Sequence, residues 1–315
     1  MIRPEKIIAE LAARQDEALD LWAELDENGL FPGENEDKTA FINRCRSIFD
    51  FYRRMECELR ENGAAVSAFG LKLRREARIP EDIMCEASAK TGKLYGFKIN
   101  WAKGFFVTEK MGLLWGGSSW YDPQSGEMVF IVRPAFKYRK KWFIYRRDEL
   151  LAHELCHVAH TPVADDKLEE FFAYQTSDSR FRRYLGNIFV RGMDAFIFIA
   201  PPFILLAVQM MNIFAGTGIA EWPFWALIGL VPAGFLIRNQ RSRNLYFRAK
   251  TKLEQLKVKL PQAVLFRCTC REIAAISAAR SDGELRAWLI ERIRSTQRFK
   301  IIGYRFLREI ADETE

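Results

Sequence analysis

Apolar side chains recur at the spacing of an α-helix through the first part of the chain, with charged residues between them. Breaks fall at Asn28-Gly29, at 31–33 and near Asn62-Gly63, where glycine, asparagine and proline favour turns. The pattern predicts an N-terminal helical region over residues 1–90, made of about three helices. Its clearest helix carries a single apolar stripe, formed by Phe41, Ile42, Cys45, Ile48, Phe49 and Tyr52.

The apolar period then becomes that of a β-strand. Apolar and polar residues alternate over 95–101, and short apolar runs follow at 105–107 and 113–115. A turn signal at 122–126 leads into a further apolar run at 128–132. We expect these segments to form a small antiparallel sheet.

A helix is predicted after the sheet, from Asp148 to His160. Asp148 and Glu149 suit the positive end of the helix dipole in its first turn, and Thr161-Pro162 ends the helix. An apolar face on this helix would bury it against the sheet. The sequence therefore predicts an α+β fold, mainly helical, with the small antiparallel sheet packed on this helix in a core domain over residues 91–190.

Two apolar stretches follow, at 193–215 and 222–237. The first is long enough to cross a bilayer and the second only marginally so, and Pro201-Pro202 would kink the first. A long buried hairpin in a soluble domain is the alternative, but tracts of this length and aromatic content are unusual there. We predict a transmembrane helical hairpin over 191–238, followed by a basic helical region over 239–315.

The basic residues are placed asymmetrically around these stretches. The chain has a formal net charge of +7, yet the loop 216–221 contains no Lys or Arg. The positive-inside rule then puts both ends of the hairpin, and the core domain, on the cytoplasmic side of a cytoplasmic membrane. The flanking cations are Arg180, Arg182, Arg183, Arg191, Arg238, Arg241, Arg243, Arg248, Lys250 and Lys252.

Partners and compartment follow from the same observations. Cations at lipid headgroups account for the basic excess, so we expect a lipid bilayer as a partner and no nucleic acid. Six scattered cysteines with no secretory signal segment ahead of them are typical of reduced thiols in a reducing compartment. The oligomeric state is left open.

Three residues of the predicted helix have the composition of a metal site. His153 and His157 are four residues apart, so both imidazoles project from one face and can bind one Zn²⁺. Glu154 lies beside that position, where it can take a proton from bound water as a general base. The chain has only three histidines, and all lie between positions 153 and 160, a clustering that random placement would rarely produce.

A catalytic zinc needs a third protein ligand. Thirteen residues after His157 comes Glu170, in a Glu-x-x-Ala setting. His-Glu-x-x-His followed by this Glu-x-x-Ala resembles the gluzincin metallopeptidases, over roughly residues 94–180. The resemblance implies hydrolysis of a protein or peptide substrate and makes Glu170 the third ligand, with Glu169 as the rival.

The chain departs from the fuller gluzincin motif at position 174, which is Tyr and not Asp. A hydrogen-bond partner for a ligand histidine must then come from elsewhere. Such proteins place an edge strand before the metal helix, and we expect 127–132 to be that strand and to pair with a peptide substrate. His160 could compete as a ligand or support one, and the candidate donors to the oxyanion of hydrolysis are Tyr145, Tyr174 and His160.

The metal helix is not itself a membrane span, because charged residues precede and follow it. This argues against an intramembrane protease of the site-2 type, and the lack of a later histidine excludes a metzincin. The sequence therefore predicts a membrane-anchored zinc peptidase that works in water close to the bilayer. The alternative is a membrane-bound, zinc-containing scaffold or sensor without turnover, although such a protein has no need for Glu154 as a base.

Overall fold

The fold is α+β and mainly helical, as predicted, in a computed structural model that describes residues 4–66, 69–109, 111, 116–163 and 166–312. The helices are α1 (Pro4–Ala13), α2 (Leu19–Glu27), α3 (Lys38–Glu61), α4 (Glu81–Tyr95), α5 (Ala135–Tyr138), α6 (Arg147–His160), α7 (Asp166–Tyr174), α8 (Arg180–Leu185), α9 (Asp194–Ala215), α10 (Trp222–Gln255), α11 (Pro261–Phe266), α12 (Cys270–Ala278), α13 (Asp282–Ser295), α14 (Gln297–Phe306) and α15 (Arg308–Ala311). The strands are β1 (Ala64–Val66), β2 (Lys72–Arg74), β3 (Gly104–Phe106), β4 (Gly117–Asp122), β5 (Glu127–Val132), β6 (Lys141–Trp142) and β7 (Tyr145–Arg146).

The three helices predicted within residues 1–90 correspond to α1, α2 and α3, but this region also contains the paired strands β1 and β2, which were not predicted. Helix α3 begins where the Asp37 side chain accepts a hydrogen bond of 2.7 Å from the backbone N–H of Ala40, which satisfies a donor at the helix end. Its apolar stripe is buried. The Tyr52 hydroxyl donates to the carbonyl of Met128 at 2.8 Å, so this helix packs against strand β5.

The strand predicted over 95–101 is wrong. Helix α4 extends to Tyr95 and ends at Gly96, whose φ of 69° is the left-handed conformation that closes many helices. The next residues bury alternate side chains, those of Phe97, Ile99 and Trp101, but none of these described residues belongs to a strand. The alternating pattern therefore indicated burial of one side of a loop and not pairing in a sheet.

The three-stranded sheet is mixed, whereas an antiparallel one was predicted. Its order is β3-β5-β4, with β3 parallel and β4 antiparallel to β5. Strand β5 is central, so the prediction that 127–132 is an edge strand is wrong. All residues of β5 are buried, and its continuous apolar run reflects cover on both faces. The predicted run 113–115 lies outside the described residues.

Helix α6 confirms the predicted helix 148–160 within one residue. Leu151 and Leu155 are fully buried, so one face of the helix joins the core. Strand β4, an edge of the sheet, passes close to this helix: a Cβ added at Gly117 would come within 2.8 Å of a carboxylate oxygen of Glu154. The predicted packing of the small sheet on the metal helix is thus made through β4.

Helices α9 and α10 form an antiparallel hairpin. Its register is marked by the pairs Asp194–Arg238, Phe198–Phe235 and Gln209–Glu221. Beyond the hairpin α10 continues into the folded body, where the ring of Tyr246 packs on Phe171 and Phe172. The chain therefore leaves the body at the start of α9 and returns to it along α10.

Only one helix in the described part of the chain, α9, is long and apolar enough to cross a membrane. The predicted hairpin of two transmembrane helices is therefore supported for its first helix alone. Helix α9 has 22 residues and is about 33 Å long, which exceeds the roughly 30 Å of a hydrocarbon core. The apolar part of α10, residues 222–237, is only about 24 Å long before Arg238 introduces a charge.

The C-terminal helices α11 to α15 pack back on the N-terminal ones. Arg267 is buried and its guanidinium pairs with Asp26 at 2.8 Å, while donating to the carbonyl of Tyr95. Both charged groups are buried away from water. Good hydrogen-bond geometry, which this pair has, is needed to offset the cost of that burial. One contiguous hydrophobic core consequently includes residues from Ile7 to Ile310.

Candidate metal centre

His153 and His157 of α6 meet Glu170 of α7 at one point. The two Nε2 atoms are 3.1 Å apart, and the Glu170 carboxylate oxygens lie 3.6 Å from His153 Nε2 and 3.5 Å from His157 Nε2. Ligand atoms around a tetrahedral zinc with bonds of about 2.0–2.1 Å are about 3.4 Å from one another. The spacing and the nitrogen and oxygen donors therefore fit a zinc ion.

A hydrogen bond at the other side of each imidazole keeps Nε2 facing this point. His157 Nδ1 is 2.6 Å from Glu169 Oε1, and His153 donates to the backbone carbonyl of Ala173. Partners of this kind fix the tautomer of a metal-binding histidine and raise its basicity. Glu169, the rival ligand in the sequence, thus orients His157. It is the hydrogen-bond partner that was expected from elsewhere in the chain, because position 174 is Tyr and not Asp.

The electrostatics of the cluster favour a protonated His157. Burial lowers the pKa of His157, but the hydrogen bond that its Nδ1 donates to Glu169 and the charge of Glu170 outweigh burial and raise that pKa to about 9. Burial and the neighbouring His157 hold the pKa of His153 well below its usual value. At neutral pH the proton therefore sits on His157, in the position that a cation would take.

Glu154 lies beside the cluster and is only 3% exposed. The hydroxyl of Ser119, on strand β4, donates a hydrogen bond to its carboxylate. Burial raises the pKa of Glu154 to about 7; the charge of His157 opposes the rise and that of Glu170 adds to it. A carboxylate with a pKa in this range can both accept and release a proton near neutral pH.

These residues line a cleft of about 470 Å³. Strand β4 contributes residues 117–121, and helices α6 and α7 contribute the histidines and carboxylates of the candidate metal site. Tyr145, Arg182 and Val190 add to the lining. A cleft of this volume accommodates a substrate of a few residues.

Arg182 is a cleft residue that the sequence analysis treated only as a charge flanking the membrane segment. Its Nη1 lies 2.8 Å from Oε2 of the buried Glu149, and its guanidinium carbon lies 4.9 Å from the centre of the Tyr145 ring. Ser177 donates to the same oxygen of Glu149 at 2.8 Å. The cation is thus held in place, but nothing in the sequence distinguished it from the neighbouring arginines.

Both tyrosines proposed from the sequence reach the cleft. Tyr174 packs edge-on against His153, with 4.7 Å between ring centroids. Gly186 leaves space for it, since a Cβ there would lie 2.1 Å from the Tyr174 ring. Burial raises the pKa of Tyr174 well above its ordinary value, so its hydroxyl stays protonated and can donate a hydrogen bond. Tyr145 lies under Arg182.

His160 lies in the hydrophobic core, one turn beyond the cluster. It is 1% exposed, and its ring centroid is 5.8 Å from that of Phe172 and 5.2 Å from that of Phe266. It is not among the described residues that line the cleft. The structure therefore groups His153, His157, Glu154 and Glu170 and places His160 outside the cleft, where its charge helps to lower the pKa of Glu169.

The cleft adjoins the start of α9, the long apolar helix. Val190 lines the cleft, and α9 begins four residues later, at Asp194. Since an extended chain spans at most about 3.6 Å per residue, Asp194 lies within about 14 Å of Val190.

Comparison with known proteins adds no relative: no family model, curated protein or solved structure matches this chain. Its likeness to gluzincins is confined to the motif residues around His153 and Glu170. A function is therefore inferred from the chemistry of the site.

Proposed function

We propose that this protein is a membrane-anchored, zinc-dependent peptidase of the gluzincin type. The observation that carries the proposal is the tetrahedral spacing of His153, His157 and Glu170, with Glu154 beside them in one cleft. A structural zinc site is normally closed by four protein ligands. Three ligands in an open cleft leave one position for water or substrate, which supports an enzyme.

The chain's own residues fit peptide hydrolysis. Zinc in this cluster would lower the pKa of a bound water and polarise the scissile carbonyl. Glu154 accepts the proton of the attacking water and delivers it to the leaving amine. Arg182 and the protonated hydroxyl of Tyr174 are the donors that we assign to the developing oxyanion, because both line the same cleft and are held in place.

Strand β4 is the element that we expect to bind a polypeptide substrate. Its residues 117–121 line the cleft, and in the described part of the chain its outer edge pairs with no other strand. A polypeptide added there would form backbone hydrogen bonds along the cleft, past Ser119 and Glu154. We therefore assign to β4 the pairing with substrate that the sequence analysis expected of 127–132.

Helix α9 is the proposed membrane anchor. The apolar residues 222–237 of α10 accompany it, since contacts along the hairpin hold the two helices together. Cations at the body end of the hairpin, and none in the loop 216–221, favour a catalytic domain that faces the cytoplasm from the cytoplasmic membrane. The proposed partners are therefore a bilayer and a protein or peptide substrate.

The test compares detergent-purified wild type with Glu154→Gln. Bound metal is counted by elemental mass spectrometry, and cleavage of a protein mixture is followed by the appearance of new N-termini. We expect about one zinc per chain in both proteins and new termini with wild type alone. Glu291→Gln, at an exposed position on α13, is the matched control and should cleave like wild type.

Two outcomes would contradict the proposal. Wild type without zinc, after purification with added zinc, would refute the metal site. Zinc in both proteins with no cleavage that depends on Glu154 would favour the scaffold or sensor instead.

A further inference from the structure

The hairpin formed by β6 and β7 exposes two adjacent large apolar side chains at its tip. Phe143 is 74% and Ile144 is 59% exposed. Neither is among the described residues lining the cleft, although the next residue, Tyr145, lines it. Single exposed apolar residues are common, but a contiguous apolar tip at the rim of a functional cleft indicates an interaction surface.

The backbone at the tip is unusual as well. Trp142 pairs with Tyr145, so Phe143 and Ile144 form a two-residue turn. Phe143 has a φ of 52°, a conformation for which such turns favour glycine or asparagine. A bulky aromatic residue kept in this strained and exposed position points to a function for its side chain.

The base of the β6–β7 hairpin is held by contacts to the body. The ring of Trp142 stacks on that of Tyr145 at a centroid distance of 6.3 Å, and the guanidinium of Arg133 lies 4.7 Å from the centre of the Trp142 ring. Tyr145 in turn lies beneath Arg182 of α8. The tip is therefore presented by a fixed base at the rim of the cleft.

Exposed cations precede the tip. Arg139, Lys140 and Lys141 are all exposed, next to an exposed Tyr138. Cations attract anionic headgroups, while aromatic and aliphatic side chains enter the boundary between headgroups and acyl chains. The charge and apolarity of this hairpin together match the surface of an anionic bilayer.

Helix α9, the proposed anchor, begins beside the same cleft. Arg182, which contacts the hairpin through Tyr145, belongs to α8, and the chain runs from there past Val190 into α9. Exposed apolar side chains continue along this connection, at Phe181, Tyr184, Phe189 and Met193. A bilayer that contains α9 is therefore close to the rim on which the hairpin stands.

We propose that the β6–β7 hairpin docks on the bilayer: Phe143 and Ile144 insert into the interface of an anionic membrane, with Arg139, Lys140 and Lys141 at the headgroups. Helices α9 and α10 would join the body to the bilayer at one place. The β6–β7 hairpin would add a second contact with the bilayer, at the rim of the cleft. This contact does not depend on peptidase activity.

The test places a fluorophore on the tip of the full-length protein in proteoliposomes. Cys57 and Cys85, the exposed native thiols, are first replaced by serine, and Phe143→Cys is labelled with a polarity-sensitive dye. The control is Ala278→Cys: its neighbour Ala279 accepts a hydrogen bond from Lys252, fourteen residues and about 21 Å along α10 beyond Arg238. Bilayers contain phosphatidylcholine with or without phosphatidylglycerol, plus a lipid-borne quencher.

We expect a blue shift and quenching of the Phe143→Cys label in bilayers containing phosphatidylglycerol, and neither at Ala278→Cys. Replacing Lys140 and Lys141 by glutamate should weaken the quenching at the tip. A tip label that behaves like the control would overturn the proposal. So would a shift that needs added polypeptide, because the tip would then bind substrate and not lipid.

The proposal has a consequence for turnover, which rests on the proposed function. Phe143→Ser with Ile144→Ser should slow cleavage of a membrane-tethered reporter about tenfold and leave cleavage of the same soluble sequence unchanged. The labelling result should be the same in a Glu154→Gln background. In the wild-type protein, quenching of the tip label without cleavage would refute the peptidase alone. Cleavage without quenching would refute the docking alone.

Discussion

Arg238 Nη2 lies 2.6 Å from Asp194 Oδ2, at the body end of the α9–α10 hairpin. The same carboxylate oxygen accepts hydrogen bonds from the backbone N–H groups of Val190 and Arg191, and Arg238 also donates to the carbonyl of Ile188 at 2.6 Å. One ion pair therefore joins the start of α9, the helix α10 and the segment that lines the cleft.

Removing the charge of Asp194 should loosen this junction. Asp194→Asn keeps the shape of the side chain but leaves the partly buried Arg238 without its counter-ion, so we expect the Tm in detergent to fall by about 2–4 °C. Thermal unfolding followed by tryptophan fluorescence measures it. Arg191→Gln, at a neighbouring exposed residue, is the control, and an equal Tm for both variants would contradict the role of the pair.

Glu169 should matter for metal affinity although it lies outside the ligand set. Glu169→Gln weakens the hydrogen bond that orients His157, and we expect zinc affinity to fall by about 10–100-fold. Glu170→Gln should cost more, because it removes a ligand. Competition with a chelator of known affinity gives both values. The reverse order of the two losses would identify Glu169 as the ligand.

Gly117→Ala tests the position of Glu154. The added methyl group would lie 2.8 Å from Glu154 Oε1 and 3.2 Å from the backbone oxygen of Ile131, so the carboxylate has to move. We expect kcat to fall at least about tenfold with zinc content unchanged, since misplacing a catalytic group by about 1 Å is costly. Gly283→Ala, where a Cβ meets nothing closer than 4.0 Å, is the matched control. Unaltered kcat in Gly117→Ala would argue against Glu154 as the base.

Zinc binding should release a proton. The pKa of His157 in the metal-free protein is raised to about 9, so at pH 7 the imidazole must lose a proton before Nε2 can bind a cation. Affinity should therefore rise with pH from about 6 to about 8. Calorimetry in two buffers of different ionisation enthalpy should show about one proton released per zinc at pH 7. Glu169→Gln, which removes the hydrogen bond that helps to raise the pKa of His157, should release less; equal release would contradict this account.

The orientation of the α9–α10 hairpin across the membrane can be tested by thiol labelling in intact cells. With Cys57 and Cys85 replaced, Ala220→Cys in the loop 216–221 should react with a membrane-impermeant reagent from outside, and Arg241→Cys should not. Both positions are exposed in the structure, so burial does not confound the readout. Protection of both would show that the loop does not reach the far side.

The helix that carries the metal motif could be predicted because its signals are local. The spacing of His153 and His157, the acidic first turn and the Thr161-Pro162 stop all lie within a few residues of one another. The pairing of strands is a long-range property, and here the prediction failed. The alternation at 95–101 and the apolar run 128–132 indicated only that side chains are buried. The first segment is largely a loop and the second a central strand, and both bury side chains as an edge strand does.

Strand β4 and Arg182 were missed for a related reason. Residues 117–122 are not strongly apolar, because an edge strand that lines a cleft has less to bury, and no pattern marked them as a strand. Arg182 belongs to a run of arginines whose charges suggested lipid headgroups. Its place in the cleft depends on Glu149 and Tyr145, which lie far from it in the sequence.

If α9 is the membrane anchor that we propose, the short connection between Val190 and Asp194 sets the distance between the cleft and the bilayer. A scissile bond in the cleft of this proposed peptidase would then lie at a fixed, small height above the bilayer, however the substrate sequence varies. A membrane protein would be cut where its chain emerges from the lipid, and a long flexible tail would be cut near its root. Selection by height would need little discrimination among side chains.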